Sequence, residues 1–417
     1  MEKSGKFRLT SLERNWILYD VGNSAFVLMV ATLIPIFFNA LAAAGGLSSV
    51  EYLAYWGYAS SAVTIITAVL SPILGTVADT KGFKKPIFIL CVFVGIVGCC
   101  AMGAVSAWLP FLVIFVIAKV GFSGSLVFYD SMLSDVTTPE RMDEVSSRGY
   151  AWGYIGSCVP FVVCLGLVLG AGSIGISQMT ALNLALLLTA AWWLLTTLPL
   201  LKSYKQLYYV EVEKHAVQQS FARIGHTLRH LPEDKQVFWF LLAFFCYIDG
   251  VYTIIDMATA YGTALGLDTT GLLLALLVTQ IVAFPSALIF GRLSNKYPSA
   301  KLIPVCIAAY AGIAVFAFFL TQQWQFWVLA VIVGMFQGGV QALSRSHFAK
   351  IIPPEKSGEY FGLFDICGKG ASFLGTMIVS VGSQLTGSAN VGVGSLIVLF
   401  IVGFVLFRVS CRQSETA

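Results

Sequence analysis

The stretch GTVADTKGFKKP, residues 75–86, is the most specific signal in this sequence. It is a short polar turn that contains glycine, and it separates two apolar runs at 53–79 and 85–106. A helix needs about 20 mostly apolar residues to cross the hydrocarbon core of a bilayer, and both runs are long enough. The stretch therefore predicts a tight, charged turn between two membrane-spanning helices.

The residues of this turn have complementary properties. Gly75 allows a neighbouring helix to approach closely, and Gly82 allows a tight turn. Asp79 can accept hydrogen bonds from the start of another helix or pair with a cation, and Lys84 and Lys85 follow it. We predict that these five residues form a conformational latch that holds one state and is released in another. The alternative is an ordinary basic turn at a helix end.

The composition of the whole chain agrees with a membrane protein. Of its 417 residues, 58% are hydrophobic and 11% are charged. A soluble domain has about 45–50% apolar and about 25% charged residues. No soluble fold could bury so much apolar surface, and the lipid bilayer is therefore the expected surrounding of this chain.

Apolar runs separated by polar breaks continue along the chain, at 13–42, 53–79, 85–106, 108–134, 144–171, 176–200, 235–264, 269–295, 300–320, 323–350, 357–385 and 389–410. We predict an all-α polytopic membrane protein with twelve transmembrane helices in two pseudo-symmetric six-helix bundles. The predicted organisation is an N-terminal bundle (1–200), a cytoplasmic basic linker (201–234) and a C-terminal bundle (235–417). The run at 13–42 is interpreted as the first span rather than a cleaved signal, because it begins late and is interrupted by Asp20 and Asn23.

Internal repetition supports the two related halves. After span 8 the sequence reads GRLSNKYPSAKL (291–302), which is a weaker version of the 75–86 stretch. Each half also has a Pro-Glu pair after its fourth span, at 139–140 and 354–355. Asn295 stands where the first half has Asp79, and we therefore expect a weaker latch in the second half.

The positions of the cations predict the orientation of the chain. The odd-numbered connections between spans contain no Lys or Arg, and only Lys119 and Lys369 lie deep inside spans. Basic residues near the ends of spans are retained on the cytoplasmic side. Both termini are therefore predicted to be cytoplasmic, and the net charge of +4 reflects this placement rather than a nucleic-acid partner.

The sequence contains no recognisable catalytic pattern. It has neither a G-x-x-x-x-G-K-[ST] loop for nucleotides nor an H-E-x-x-H metal motif, and its nine cysteines form no C-x-x-C pair. We expect no enzymatic activity, no cofactor and no metal site.

Three aspartates within predicted spans are the candidates for proton coupling. Asp20 and Asn23 share a face of span 1 by their spacing, and Asp249 and Asp256 can share a face of span 7. Charged side chains inside spans are costly, and they mark ion or substrate pathways. We predict Asp249, which lies deepest, as a proton carrier, with Asp20 and Asp256 as further proton-coupling candidates. For Asp20 and Asp249 the alternative is a permanently paired structural carboxylate.

Lys119 in span 4 and Lys369 in span 11 are candidates for the substrate cavity. Asp365 lies one helical turn before Lys369 and could simply neutralise it. Lys119 has no acid three or four residues away, which favours a contact with another helix or with an anionic substrate group.

The remaining cavity candidates are polar or aromatic: Asn23, Trp152, Tyr154, Tyr247, Gln337 and Gln341. The two glutamines share a face of span 10 among glycines and can hydrogen-bond to another helix or to a polar solute. Helix packing is the alternative for the two glutamines, and packing or contact with lipid is the alternative for Trp152 and Tyr154.

The 75–86 stretch resembles the G-x-x-x-D-x-x-G-R-[KR]-x-[KR] signature of the major facilitator superfamily. Phe83 stands where a basic residue is usual. Three stretches resemble one branch of that superfamily, which contains the fungal vacuolar amino-acid effluxers linked to autophagy and their bacterial relatives: YDVGNSAF (19–26), YIDG (247–250) and QALSRS (341–346). This branch often has Trp-Ala where this chain has Val21-Gly22, and its fungal members tend to be longer, which favours a bacterial inner-membrane protein.

The resemblance implies alternating access around a central cavity, with a small polar solute as cargo. Because no nucleotide motif is present, we expect transport to be driven by a gradient, and the aspartates within the spans favour protons as the coupling ion. The resemblance implies amino acids as the substrates, and a monomer is the usual expectation for the fold. Export is the direction in the best-known members. The alternatives are a drug or lysolipid exporter of the same fold and a solute sensor that does not transport.

Overall fold

The computed structural model describes residues 7–211, 225–227 and 229–416, and twelve of its helices are long and apolar enough to cross a membrane. We number them in chain order. The first half contains α1 (Ser11–Ala44, broken at Thr32), α2 (Ser49–Ala78), α3 (Lys84–Met102), α4 (Trp108–Ser131), α5 (Met142–Leu169) and α6 (Gln178–Ser203). The second half contains α7 (Lys235–Ala264), α8 (Thr269–Leu293), α9 (Ser299–Phe318), α10 (Gln323–Ile351), α11 (Ser357–Thr386) and α12 (Ile397–Thr416). The predicted set of twelve membrane helices is confirmed.

Local capping explains where several of these helices begin. Thr10 and Glu13 form a capping box at the start of α1, in which each side chain bonds the backbone of the other residue. Ser48 and Glu51 do the same for α2. The last span, Ala389–Gln413, begins with a separate short helix, Ala389–Gly394, that packs on α9 and α11.

The two halves repeat the same helix packing. In the first half α1 packs on α5 and α6, while α4 packs on α2 and α3. In the second half α7 packs on α11 and α12, while α10 packs on α8 and α9. The halves meet mainly where α2 contacts α11 and where α5 contacts α8. These equivalent contacts define two pseudo-symmetric six-helix bundles.

The start of α1 and the end of α12 lie at the same face of the molecule, because the number of spans between them is even. We call this the terminal face, and the other side the opposite face. The α2–α3, α4–α5, α8–α9 and α10–α11 connections also lie at the terminal face.

The segment after α6 runs along the α2–α3 turn at this face. Asp135 accepts hydrogen bonds from the Tyr204 hydroxyl (2.6 Å) and from the Leu207 and Tyr208 amides (2.9 and 3.0 Å). Burial, with Asp135 beside it, raises the pKa of Tyr204, which therefore stays a donor. Residues 212–224 of the predicted linker lie outside the described residues.

Candidate functional site

A cavity of about 390 Å³ lies between the two halves. Helices α1, α4 and α5 line it on one side, and α7, α8, α10 and α11 line it on the other. Its ionisable lining residues carry both signs of charge: Asp20, Asp130, Asp256, Asp365, Arg345 and Lys369. Charged side chains inside a membrane protein are expensive unless they are paired or face a polar cavity, so this cavity is the candidate site.

Arg345 forms the base of the cavity on the side of the terminal face. Its Nη1 donates to Asp130 Oδ1 at 2.9 Å and lies 3.8 Å from Asp20 Oδ2. Its Nε and Nη2 donate to the hydroxyl and carbonyl of Ser146 at 2.9 and 3.0 Å. The arginine therefore joins α10 of the second half to three helices of the first half.

A second charged group lies on α11. Lys369 Nζ is 2.6 Å from Asp365 Oδ2, which is the intrahelical pairing that their spacing suggested. The same carboxylate oxygen accepts a hydrogen bond from the Ser71 hydroxyl of α2 at 2.7 Å. Asp365 therefore neutralises the lysine and also ties the two halves together.

Lys119 on α4 lies near this group but is not among the lining residues. Its Nζ sits 4.7 Å from the centre of the Phe122 ring and 6.0 Å from that of Phe26. Among the described residues, no carboxylate lies within 4.0 Å of it, and Asp256 and Lys369 act on it only electrostatically. A cation without an ionic partner beside a membrane cavity is available to an anionic group.

The structure brings seven of the predicted site residues to the cavity: Asp20, Asn23, Tyr154, Asp256, Gln337, Gln341 and Lys369. The Tyr154 hydroxyl donates to Gln341 Oε1 at 3.3 Å, which links α5 to α10. Asp20 Oδ2 and Gln337 Oε1 are buried, and no described residue hydrogen-bonds to them.

Three other predicted site residues lie outside the cavity lining. Asp249 is fully buried between α7 and α11, where its Oδ1 accepts a hydrogen bond from the Gly375 amide at 2.8 Å. Tyr247 lies inside the second half, with its hydroxyl 2.7 Å from Ser344 Oγ. Trp152 is 46% exposed and packs its edge against Phe284.

The candidate residues named from the sequence did not include several lining residues: Asp130, Tyr150, Tyr252, Gln280 and Arg345. Asp130 and Arg345 lie near the terminal-face ends of their helices, where charged side chains usually reach water or lipid headgroups. Only the contact between the halves reveals that both side chains point into the protein. The QALSRS stretch was the one sequence signal that contained Arg345.

The terminal face below the cavity is closed by two contacts between the halves. In the first closure, Asp79 accepts hydrogen bonds from the Gly358 and Glu359 amides at 2.7 and 2.8 Å. These amides belong to the first turn of α11, where backbone N–H groups have no partner within the helix. Asp79 therefore binds the positive end of the α11 dipole.

The other predicted latch residues support this contact. Lys84 is fully buried, and its Nζ lies 2.9 Å from Ser357 Oγ, 3.4 Å from Asp135 and 3.8 Å from Asp79. A Cβ atom on Gly75 would lie 2.2 Å from the Gly358 carbonyl oxygen, so only glycine permits this approach. Gly82 has φ +79°, and Lys85 is half-buried at the start of α3.

The second closure lies at the equivalent place in the other half. Asn295 Nδ2 donates to Glu144 Oε2, in the first turn of α5, at 3.0 Å. A Cβ atom on Gly291 would lie 2.8 Å from Ser147 Cβ. Nearby, Lys350 Nζ contacts both carboxylate oxygens of Asp143 at 2.7 Å. The structure is therefore a conformation closed at the terminal face.

Solved structures of transporters share this arrangement over nearly the whole chain. The human organic anion transporter MFSD10 (TETRAN) matches with a TM-score of 0.71 and 15% identity, covering 95% of this chain and 99% of that one. FucP, a major facilitator transporter in the outward conformation, matches with a TM-score of 0.70 and 16% identity, covering 96% and 97%. The fold is that of the major facilitator superfamily.

Residues 11–416 match the family described as Vacuole effluxer Atg22 like, and the chain belongs to this family. The MFS-type transporter YxiO of Bacillus subtilis (strain 168) is 42% identical over 414 residues, covering 98% of this chain and 97% of that protein. Autophagy-related protein 22 of Saccharomyces cerevisiae (strain ATCC 204508 / S288c) is 27% identical over 283 residues. That alignment covers 58% of this chain, which spans about half the length of the fungal relatives it matches. The chain is an integral membrane transporter of the major facilitator type.

Proposed function

We propose that this transporter is a proton-coupled carrier of amino acids or similar small zwitterions that works by alternating access. The observation that carries the proposal is the cavity between the halves, which holds acids and bases within about 390 Å³. A zwitterion presents both charges within a few ångströms and requires such a mixed lining. An apolar or singly charged lining would suit a different cargo.

The two charges of the solute have separate candidate partners. Lys119, which lies beside the cavity and has no ionic partner among the described residues, is available to the carboxylate, while the aspartates that line the cavity are available to the ammonium group. The buried Asp20 and Gln337 each keep one oxygen without a described partner, which leaves acceptors for donors on the cargo. Asn23, Tyr154 and Gln341 supply further hydrogen-bonding groups.

Proton coupling is assigned to aspartates that lie inside the membrane. Asp256 and Asp20 line the cavity and can exchange a proton where the cargo binds. Asp249 is different, because one of its oxygens holds the Gly375 amide of α11. Protonation there would act on the packing of α7 against α11 rather than on the cargo.

The membrane and orientation are also part of this proposal. The YxiO protein belongs to a bacterium, which favours a bacterial plasma membrane for this chain. The basic residues are concentrated at the terminal face, which favours the cytoplasm for that side. The closures at the terminal face then form a cytoplasmic gate, and alternating access requires that they separate. The names of the relatives in the family favour efflux as the direction.

Counterflow in proteoliposomes tests the proposal. The purified protein is given amino acids, peptides, sugars and organic anions, with and without an imposed pH gradient. We expect saturable amino-acid counterflow, and net transport that increases with the gradient.

Two variants test the assigned residues. Replacing Asp256 with Asn should abolish the response to the gradient, and Lys119→Met should raise the KM for amino acids. Glu211→Gln, on the exposed segment after α6, is the control. Counterflow of none of these solutes, or equal gradient dependence in Asp256→Asn, would contradict the proposal.

One observation favours a second candidate, the export of an amphiphile. An apolar cavity of about 60 Å³ lies inside the second half and shares Gln280 and Gln337 with the central cavity. A cargo with a polar head and an apolar tail could use both spaces. Counterflow of lysophospholipid that soluble amino acids do not inhibit would favour this function over the first.

A further inference from the structure

Arg345 is the cation that compensates the carboxylates of the opposite half. It lies on α10 of the second half, is 2% exposed, and donates to Asp130 on α4 and to Ser146 on α5. Its guanidinium carbon also lies 4.3 Å from the centre of the Tyr150 ring and 4.7 Å from that of Trp16. All of these partners belong to the first half.

The carboxylates around Arg345 need a positive charge. Asp20 is only 7% exposed, and its Oδ2 has no described hydrogen-bond partner, although Arg345 Nη1 lies 3.8 Å away. A buried carboxylate without a cation is strongly unfavourable, and removing one partner of a buried pair costs far more than the pair contributes. Closing the terminal face without a cation here would therefore bury uncompensated charge.

Arg345 belongs to the second half, whereas Asp20 and Asp130 belong to the first half, so this contact cannot persist when the halves separate. If the two halves separate at the terminal face as rigid bodies, α10 withdraws from α4 and α5, and Arg345 withdraws with it. Asp20 and Asp130 then face the open side of the cavity without their counter-ion. They form a site for a cationic group, and the proposed cargo carries one in its ammonium group.

We propose that Arg345 is a tethered substitute for the ammonium group of the cargo. In the state open at the terminal face, Asp20 and Asp130 bind the ammonium group. When the empty transporter closes, Arg345 takes that place, so the unloaded carrier can complete its cycle. Without Arg345 only a loaded carrier can close, and net transport becomes strict exchange. This inference rests on the proposed function for the nature of the cargo, but its conformational part does not.

The first test compares net transport with counterflow for an amino-acid mixture in proteoliposomes. In Arg345→Gln we expect net transport to fall about 100-fold or more, because the empty carrier lacks the charge that closure requires. Counterflow should stay within about twofold, because the loaded carrier still closes. Arg345→Lys keeps the charge and should recover part of the net transport. Loss of neither activity would overturn the proposal.

Arg141→Gln is the matched control. Arg141 bonds both carboxylate oxygens of Glu13 at 2.7 Å, also near the terminal face, but this pair lies within the first half. It does not need to separate during transport, so the ratio of net transport to counterflow should stay at the wild-type value. If Arg345→Gln loses both activities, the double variant D130N/R345Q decides the matter. It removes one uncompensated carboxylate and should restore transport, and failure to do so would overturn the proposal.

The second test needs no transport and separates this inference from the proposed function. Dyes attached through non-natural amino acids at Glu140 and Lys301, which are exposed at the terminal face of the two halves, report its closure by single-molecule FRET. Empty Arg345→Gln should populate the closed state far less than the wild type. The amino-acid mixture should restore closure, and the corresponding mixture of 2-hydroxy acids should not. Wild-type closure in the empty variant, or equal effects of the two mixtures, would overturn the assignment.

Discussion

The two closures at the terminal face occupy equivalent positions, but their polar chemistry is reversed. In the first closure, the loop residue Asp79 is the acceptor and the start of α11 supplies the donors. In the second closure, the loop residue Asn295 is the donor, and Glu144 at the start of α5 is the acceptor. The helix before each loop also carries a glycine near its end, Gly75 in α2 or Gly291 in α8, at the helix crossing.

The comparison shows which features the repeated fold requires and which features differ between the two halves. The close approach of α2 to α11 and of α8 to α5 appears in both halves, and a glycine permits it in each case. The hydrogen bonds are not shared. In the first closure the carboxylate belongs to the loop and accepts hydrogen bonds from the start of the facing helix. In the second closure the carboxylate belongs to the start of the helix and accepts a hydrogen bond from the loop.

The largest effect is expected from Asp79→Ala. The substitution removes two buried hydrogen bonds to a charged acceptor, and it leaves Lys84 with only Asp135 and Ser357 as polar partners. Loss of one partner from a buried charged network costs about 3–5 kcal/mol, so the terminal face should open in most molecules. The FRET pair at Glu140 and Lys301 measures the closed fraction. An unchanged closed fraction would show that Asp79 is not a latch.

Sequence reasoning identified the first closure because its residues lie close together in the chain. The spacing of Gly75, Asp79 and Lys84 carries the chemistry, and the predicted interaction with a helix start matches the geometry. The second closure was expected to be only a weaker copy of the first. Its actual partner, Glu144, comes from another span, and no local pattern links it to Asn295.

The cavity illustrates the same limit. Helix number and order follow from apolar runs, which each segment carries in its own sequence. Residues such as Asn23 and Gln337 stood out because polar side chains are rare within spans. Asp130 and Arg345 did not, because their place near helix ends is equally compatible with exposure. Their role depends on how the two halves pack, and that packing depends on residues that are far apart in the sequence.

The second prediction compares the glycines. In Gly75→Ala the new Cβ would meet the Gly358 backbone oxygen at 2.2 Å, and backbone within a helix cannot move aside locally. In Gly291→Ala it would meet Ser147 Cβ at 2.8 Å. We expect overpacking to cost about 2 kcal/mol at Gly75 and less at Gly291. The same FRET pair measures both, with Gly312→Ala as the control, because a Cβ there meets no atom within 4 Å. A larger effect at Gly291 would reverse the proposed order of the two closures.

The smallest effect, and the most informative, is expected from Asn295→Asp. This substitution gives the second half the residue of the first, and a simple reading of the repeat predicts a stronger latch. The geometry predicts the opposite, because the new carboxylate would face Glu144 in place of a donor. Arg148, which is 2.7 Å from Glu144, offsets part of the repulsion. We therefore expect the closed fraction to fall only about twofold to fivefold.

Asn295→Ala is the control, because it removes the hydrogen bond without adding charge. Its effect should be smaller than that of Asn295→Asp. Only the effect of Asn295→Asp should depend on the salt concentration, because only this substitution adds a charge. A closed fraction that rises in Asn295→Asp would mean that the two closures share their chemistry after all, and that the start of α5 accepts an anion as the start of α11 does.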